Sequence, residues 1–217
     1  MPFVSIEGID GSGKTLQAEL LAASLRARNL KVLSTKEPDG GWIGPGVRSI
    51  LTGERPSPLS PQEEMLLISA ARFNHVRGVI RPALAAGNWV VTDRFVDSTF
   101  AFQVFQTGVS ERAFEEITAE VAGNTMPNFT FILDIDADTA VRRRNTRAGK
   151  PSDDPAEATR NFARIRNGYL EAARRAPRRC HIIDATAAPI VVADRIMSII
   201  VNQSAIDTWN VHQSTDT

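Results

Sequence analysis

"GIDGSGKT", residues Gly8 to Thr15, decides how this chain is read. Ahead of it, "FVSIE" is an apolar, β-branched run that predicts a strand. Behind it, "LQAELLAASLRAR" carries the apolar spacing of a helix. The stretch fits G-x-x-x-x-G-K-[ST], with Gly8, Gly13, Lys14 and Thr15 at the fixed positions. The chemistry is anion capture. Glycines let the backbone of Gly8, Ile9, Asp10, Gly11, Ser12 and Gly13 bend until its N–H groups turn inward around phosphate oxygens. The start of the next helix adds partial positive charge. Lys14 can reach the outer phosphates of a nucleoside triphosphate, and the Thr15 hydroxyl can ligate Mg²⁺. The strand–loop–helix setting separates this motif from a chance glycine-rich turn.

Outward from the loop, strand and helix signals alternate. "FVSIE", "KVLST", "NWVVTD", "FTFILDID" and "HIIDAT" predict five strands. Helical spacing covers about 14–28, 60–86, 111–122, 137–147 and 155–174, and "PIVVADRIMSIIV" forms a closing helix. "EPDGGWIGPG" reads as a Gly/Pro loop. The pattern predicts an α/β fold of the P-loop type, three layers with a five-stranded parallel sheet between helices. One domain is expected over residues 1–202, with a small helical lid at about 142–155. The polar segment 203–217 is expected to fray, with Trp209 its single large anchor.

Composition narrows the classes. The chain has 217 residues, 42% of them hydrophobic, which suits one globular domain. No run reaches the roughly 18–20 apolar residues of a membrane span, and no charged n-region precedes an apolar core. A cytoplasmic protein without a membrane partner is the expectation. The lone cysteine, Cys180, excludes an internal disulfide and reads as a buried, inert thiol. Net charge is zero, yet only four basic residues are lysine and 21 are arginine, the side chain that grips phosphate bidentately. Residues 142–179 carry a balance of +8. A solvated helix face and a nucleic-acid surface are both readings of that excess. Overall neutrality argues against nucleic acid, and a lid closing over phosphates needs such charge only locally.

In parallel sheets ligands gather at the carboxyl ends of strands. The residues there are Gly8–Thr15, Glu37–Gly41, Asp93 with Arg94, and Asp184–Thr186. Asp93, an acid closing an apolar strand, is a natural Mg²⁺ partner, and Arg94 can bridge two phosphate groups. No N-K-x-D segment exists to read guanine, which excludes a GTPase. His75 and His181 lie in no metal or nucleophile pattern and read as structural.

"FVSIEGIDGSGKT", "TKEPDGG", "LLISAAR", "VVTDRFVDSTFAFQ", "RIRNGYLE" and "IDAT" occur in this order, and through them the chain resembles the thymidylate kinase family of P-loop nucleoside-monophosphate kinases. The resemblance spans about Phe3 to Ile200 and implies transfer of phosphoryl from ATP to dTMP, giving dTDP, with Mg²⁺ and in a homodimer. It implies catalytic roles for Asp10, Lys14, Arg94 and the lid residue Arg147, with Arg142, Arg143 and Arg144 as alternates. The ATP site it implies joins Gly8–Thr15 to Arg143, Asp184 and Thr186, with Thr15 and Asp93 on the metal. The acceptor site it implies comprises Asp10, Glu37, Arg48, Ile68, Arg72, Arg94, Thr99, Phe102 and Gln103. Arg72 is to meet a base carbonyl, Thr99 and Gln103 the pyrimidine edge, and the Phe102 ring the 2′ position. This sequence departs from the family at Ile68, usually Phe, at Asp39, usually Gly, at Phe102, usually Tyr, and in the lid "RAGKPSDDP". Two alternatives stand beside this reading: the same reaction on another or a modified pyrimidine deoxynucleotide, and a nucleotide-binding module without turnover. Intact Lys14, Thr15, Asp93 and Arg94 argue against the second.

Overall fold

A computed structural model of the chain describes residues 1–54, 56–148 and 160–213. Five strands, β1 (Phe3–Glu7), β2 (Val32–Lys36), β3 (Trp89–Asp93), β4 (Phe129–Asp134) and β5 (Cys180–Asp184), form one sheet in the order β2-β3-β1-β4-β5. Every pairing is parallel. Central β1 and β3 are buried along their full length, whereas edge strands β2 and β5 are partly open. Their sequences show why: strands covered on both faces need continuous apolar runs, and edge strands tolerate "LSTK" and "CHIID".

Alternate residues of the central strands serve opposite faces. Phe3 and Val90 pack with Val76, Ile80 and Phe95, while Val4 and Val91 join a core with Leu21, Leu25, Ile165 and Ile196. The helices are α1 (Lys14–Arg26), α2 (Gly44–Thr52), α3 (Pro61–His75), α4 (Arg81–Ala85), α5 (Val96–Thr99), α6 (Glu111–Val121), α7 (Ala137–Ala148), α8 (Phe162–Arg175) and α9 (Pro189–Gln213). Ser60 caps α3 reciprocally with Glu63, and Pro61 takes the first turn. A π-helical segment, Val76–Ile80, joins α3 to α4, so the long helix expected at 60–86 is nearly continuous. A second, Phe100–Gln106, continues α5.

Two expectations need correction. The glycine/proline loop after β2 is shorter than expected, because α2 begins at Gly44 with Pro45 in its first turn, where a missing N–H does no harm. The closing helix is longer than "PIVVADRIMSIIV", since α9 runs through Gln213; "SAIDTWNVHQ" contains neither Gly nor Pro to stop propagation. The expected lid is described only where it belongs to α7; the rest of it, and the side chain of Arg147, lie outside the described residues.

Helix α8 lies tight against the second π-helical segment. A Cβ on Gly168 would sit 2.8 Å from Ala101 Cα and 3.0 Å from Phe105 Cβ. Gly168→Val is therefore expected to lower stability by about 1–3 kcal/mol through overpacking, measured by urea unfolding. An unchanged midpoint would show that the contact is slack.

Candidate active site

The parallel register sets the site. Ile6 pairs with Asp93, so the turn after β3 begins level with the turn after β1. In the β1 turn, Gly11 has φ 93° and approaches α7 so closely that a Cβ would lie 2.2 Å from the Ala140 carbonyl oxygen. Only glycine satisfies both demands. Lys14 is buried; its ammonium donates to the Ile9 carbonyl at 3.0 Å and lies 3.5 Å from Asp10 Oδ1. Burial and the Arg94 charge hold the Lys14 pKa below its ordinary value. The Thr15 hydroxyl donates to Asp93 Oδ2 at 2.6 Å.

Arg94 stands at the centre. Its backbone is left-handed, φ 74°, an uncommon conformation for a side chain of this size. Its guanidinium pairs with Asp10 and donates at 3.0 Å to both Ser98 Oγ and Tyr169 OH. Asp10 also accepts from Arg160 at 3.4 Å. Burial pushes the Asp10 carboxyl upward, but Arg94, Lys14 and Arg160 together outweigh it and hold the pKa well below the usual carboxylate range. Beneath Arg94 lies Glu7, fully buried at the end of β1. Its carboxylate accepts from the Phe95 N–H and the Ser98 hydroxyl, both at 2.6 Å, and from Ser5 at 2.7 Å. It thus fixes the backbone on the far side of the strained residue.

Beside this centre opens a cavity of about 510 Å³. All nine residues assigned to an acceptor from sequence line it: Asp10, Glu37, Arg48, Ile68, Arg72, Arg94, Thr99, Phe102 and Gln103. Buried Arg72 donates to Glu37 at 2.8 Å, to Thr99 Oγ1 at 3.0 Å and to the Phe95 carbonyl at 3.1 Å. His75, at 3.2 Å from the other Glu37 oxygen and 2.8 Å from Thr35, completes that clamp. Asp39, the departure in the turn after β2, accepts from Arg48 Nε at 2.6 Å. Phe102 lies under two guanidinium groups, those of Arg94 at 5.3 Å and Arg160 at 5.5 Å.

The remaining assignments fall on the opposite side of the loop. Arg143 of α7 donates to the Ala185 carbonyl at 2.8 Å and the Thr186 carbonyl at 3.3 Å, while Asp184 accepts from the Thr186 N–H and hydroxyl. Arg142 turns to Thr139, and Arg144 lies over the Phe162 ring. Burial pushes the Cys180 thiol up to about 12, so it is no nucleophile. Sequence reading missed Glu7, Glu64, Ser98, Arg160 and Tyr169. Glu7, Ser98 and Tyr169 stand inside stretches that carry the resemblance, "FVSIEGIDGSGKT", "VVTDRFVDSTFAFQ" and "RIRNGYLE", without a role of their own being signalled there; Glu64 and Arg160 gain their meaning from tertiary approach.

A cradle for one row of phosphates shares Asp10 and Arg94 with an arginine-lined cavity, and transfer of phosphoryl between two nucleotides uses both halves. The class is that of the P-loop nucleoside-monophosphate kinases. A family model described as thymidylate kinase matches residues 6–196. Thymidylate kinase of Methylococcus capsulatus is 39% identical over 183 residues, covering 84% of this chain and 86% of that one. That of Pelotomaculum thermopropionicum is 40% identical over 191 residues, covering 88% of each. The crystal structure of thymidylate kinase from Ehrlichia chaffeensis matches with a TM-score of 0.74 at 29% identity, over 92% of this chain and 98% of that one. The chain belongs to the thymidylate kinase family.

Glu7 makes a prediction about pH. Burial, with the Asp97 charge second, raises its pKa from 4.5 to about 7, against the opposing pull of Ser98, Ser5 and Arg94. The folded protein then holds more protons than the unfolded chain between those values. Stability falls as pH rises through that window. Urea unfolding at pH 5 and pH 8 is expected to show a loss from this group of about 1–3 kcal/mol, absent in Glu7→Gln. Equal pH slopes in the two proteins would contradict the assignment.

Proposed function

We propose that the protein transfers the γ-phosphoryl group of ATP to dTMP, giving dTDP and ADP. The observation that carries this is the convergence of all nine acceptor residues on one cavity that borders the phosphate loop. In this reading the N–H groups of Gly8–Thr15 hold the ATP phosphates, and Arg143 with the Asp184–Thr186 turn flanks the adenine. Lys14 and Arg94 neutralise charge that spreads over the transferring group, the main demand of phosphoryl transfer. Arg147 is assigned the same task from the lid. Arg48 meets the acceptor phosphate. Asp10 holds Arg94 in place and lies near the sugar. Glu37 anchors Arg72, whose remaining donor reaches a base carbonyl. Ile68 supplies the apolar face against the base, Thr99 and Gln103 read its edge, and Phe102 crowds the 2′ position.

The donor set fits Mg²⁺. Asp93 Oδ1 is buried with no hydrogen-bond partner among the described residues, and Asp93 Oδ2 already holds the Thr15 hydroxyl. These are hard oxygen donors, which Mg²⁺ prefers. Among the described residues no cluster of three or more His, Cys, Asp or Glu could cage a metal alone, so the ion would take its other ligands from phosphate and water. When bound, Mg²⁺ would supply charge neutralisation on the phosphates.

A single domain with a lid at about 142–155, a cytoplasmic location and a homodimer complete the reading. No helix among the described residues is long and apolar enough to cross a membrane. Exposed Leu66 and Phe73, seven positions apart on α3, share one face suited to a second copy.

The test is ADP release across a panel of nucleoside monophosphates, with Lys14→Ala as control. The wild-type protein is expected to favour dTMP, and the variant to stay folded but lose at least about 100-fold in kcat. Near-normal turnover in the variant would overturn the role of the phosphate loop.

A further inference from the structure

Glu64 was assigned no role by the sequence, yet it lines the same cavity from the first turns of α3. Its Oε2 accepts from Gln103 Nε2 at 3.1 Å. A carboxylate can only accept hydrogen bonds. Whichever end of the Gln103 amide faces Glu64 must therefore be the NH₂ end. The carbonyl end is left over, and Gln103 Oε1 is buried with no partner among the described residues. A buried acceptor without a partner is an unfavourable arrangement unless a ligand donor meets it. Gln103 sits on the π-helical segment Phe100–Gln106, and its own carbonyl accepts from the Thr107 hydroxyl and the Val109 N–H, so the backbone beneath the amide is fixed.

We infer that Glu64 is a specificity-determining positioning residue: by holding the Gln103 amide with its NH₂ end outward, it presents a lone acceptor to the base. This rests on the reading that a pyrimidine of the acceptor occupies the cavity. A ring N–H at position 3, present in thymine and uracil, satisfies that acceptor. Cytosine carries a lone pair at the same position, so two acceptors would face each other. Without Glu64 the amide is free to turn over and offer its NH₂ to a cytosine ring instead. Discrimination between the two base types is thus set by a side chain that need not touch the base.

The experiment compares kcat/KM for dTMP and 5-methyl-dCMP, which share sugar, phosphate and methyl group, in wild type, Glu64→Gln and Glu64→Ala. Sites built around a buried polar group reject a mismatched partner strongly. The preference of the wild type for dTMP is expected to fall about tenfold or more in Glu64→Ala, with the rate on 5-methyl-dCMP rising, and to fall less in Glu64→Gln, whose amide oxygen still accepts from Gln103 while its NH₂ permits the other orientation. If both substrates lose equally in Glu64→Ala, so that their ratio stays put, Glu64 merely supports the pocket and the inference is wrong. If the ratio and both rates are unchanged, it is wrong as well. Should the wild type show no preference for dTMP, the base assignment itself fails and this inference falls with it.

Discussion

The pairing of Asp10 with Arg94 is the contact on which the rest of the site depends. One residue belongs to the turn after β1, the other to the turn after β3, and parallel register between those strands brings them together. Arg94 must adopt a left-handed backbone to make the contact, which costs of the order of 1–3 kcal/mol for a residue with a Cβ. The surroundings over-determine it. Asp10, Ser98 and Tyr169 hold the guanidinium, the Arg94 N–H donates to the Ile6 carbonyl at 3.0 Å, and Glu7 grips the next residue. Strain kept at such a point holds one cation between the turn after β1 and the cavity.

Charge is arranged by the same logic. Lys14, Arg94 and Arg160 converge on the Asp10 carboxylate, with the charges of Asp93 and Glu7 acting on Lys14 and Arg94 from behind, so cations are gathered at one point in a chain whose net charge is zero. The second cluster, Arg72 with Glu37 and His75, is buried and paired, and so presents a geometric template more than a field. The first half suits a moving phosphoryl group, the second a base that must sit in one orientation. The thymidylate kinase family to which the chain belongs joins these two tasks, and α5 with its π-helical continuation physically links them through Ser98, Thr99, Phe102 and Gln103.

Much of this is legible in the sequence. The phosphate loop is a local motif, and the central strands β1 and β3 show in apolar runs because the sheet buries both their faces, while edge strands β2 and β5 show in their β-branched residues. The acceptor residues came from resemblance, residue by residue, and they share one cavity. Glu7 was not legible: inside "FVSIE" it reads as one more strand residue, and only the approach of the β3 turn gives its carboxylate three donors. Arg160 and Glu64 were missed for the same reason, since each works through a partner distant in sequence. Helix α2 hid behind "GPG", and the π-helical widening at Phe100–Gln106 has no sequence signature, although it places Phe102 and Gln103 on the cavity. The extent of α9 is hidden by the polarity of its last turns, although they contain no helix breaker.

Their shared contact leads to the expectation that Asp10 and Arg94 act as one unit in phosphoryl transfer. A double-mutant cycle on kcat, with Asp10→Asn, Arg94→Met and the pair together, tests it most directly. Groups that act through each other give strongly non-additive losses. Each single variant is expected to lose at least about 100-fold, and the double variant to be little worse than Arg94→Met alone. Losses that multiply in the double variant would show two independent contributions and contradict the account.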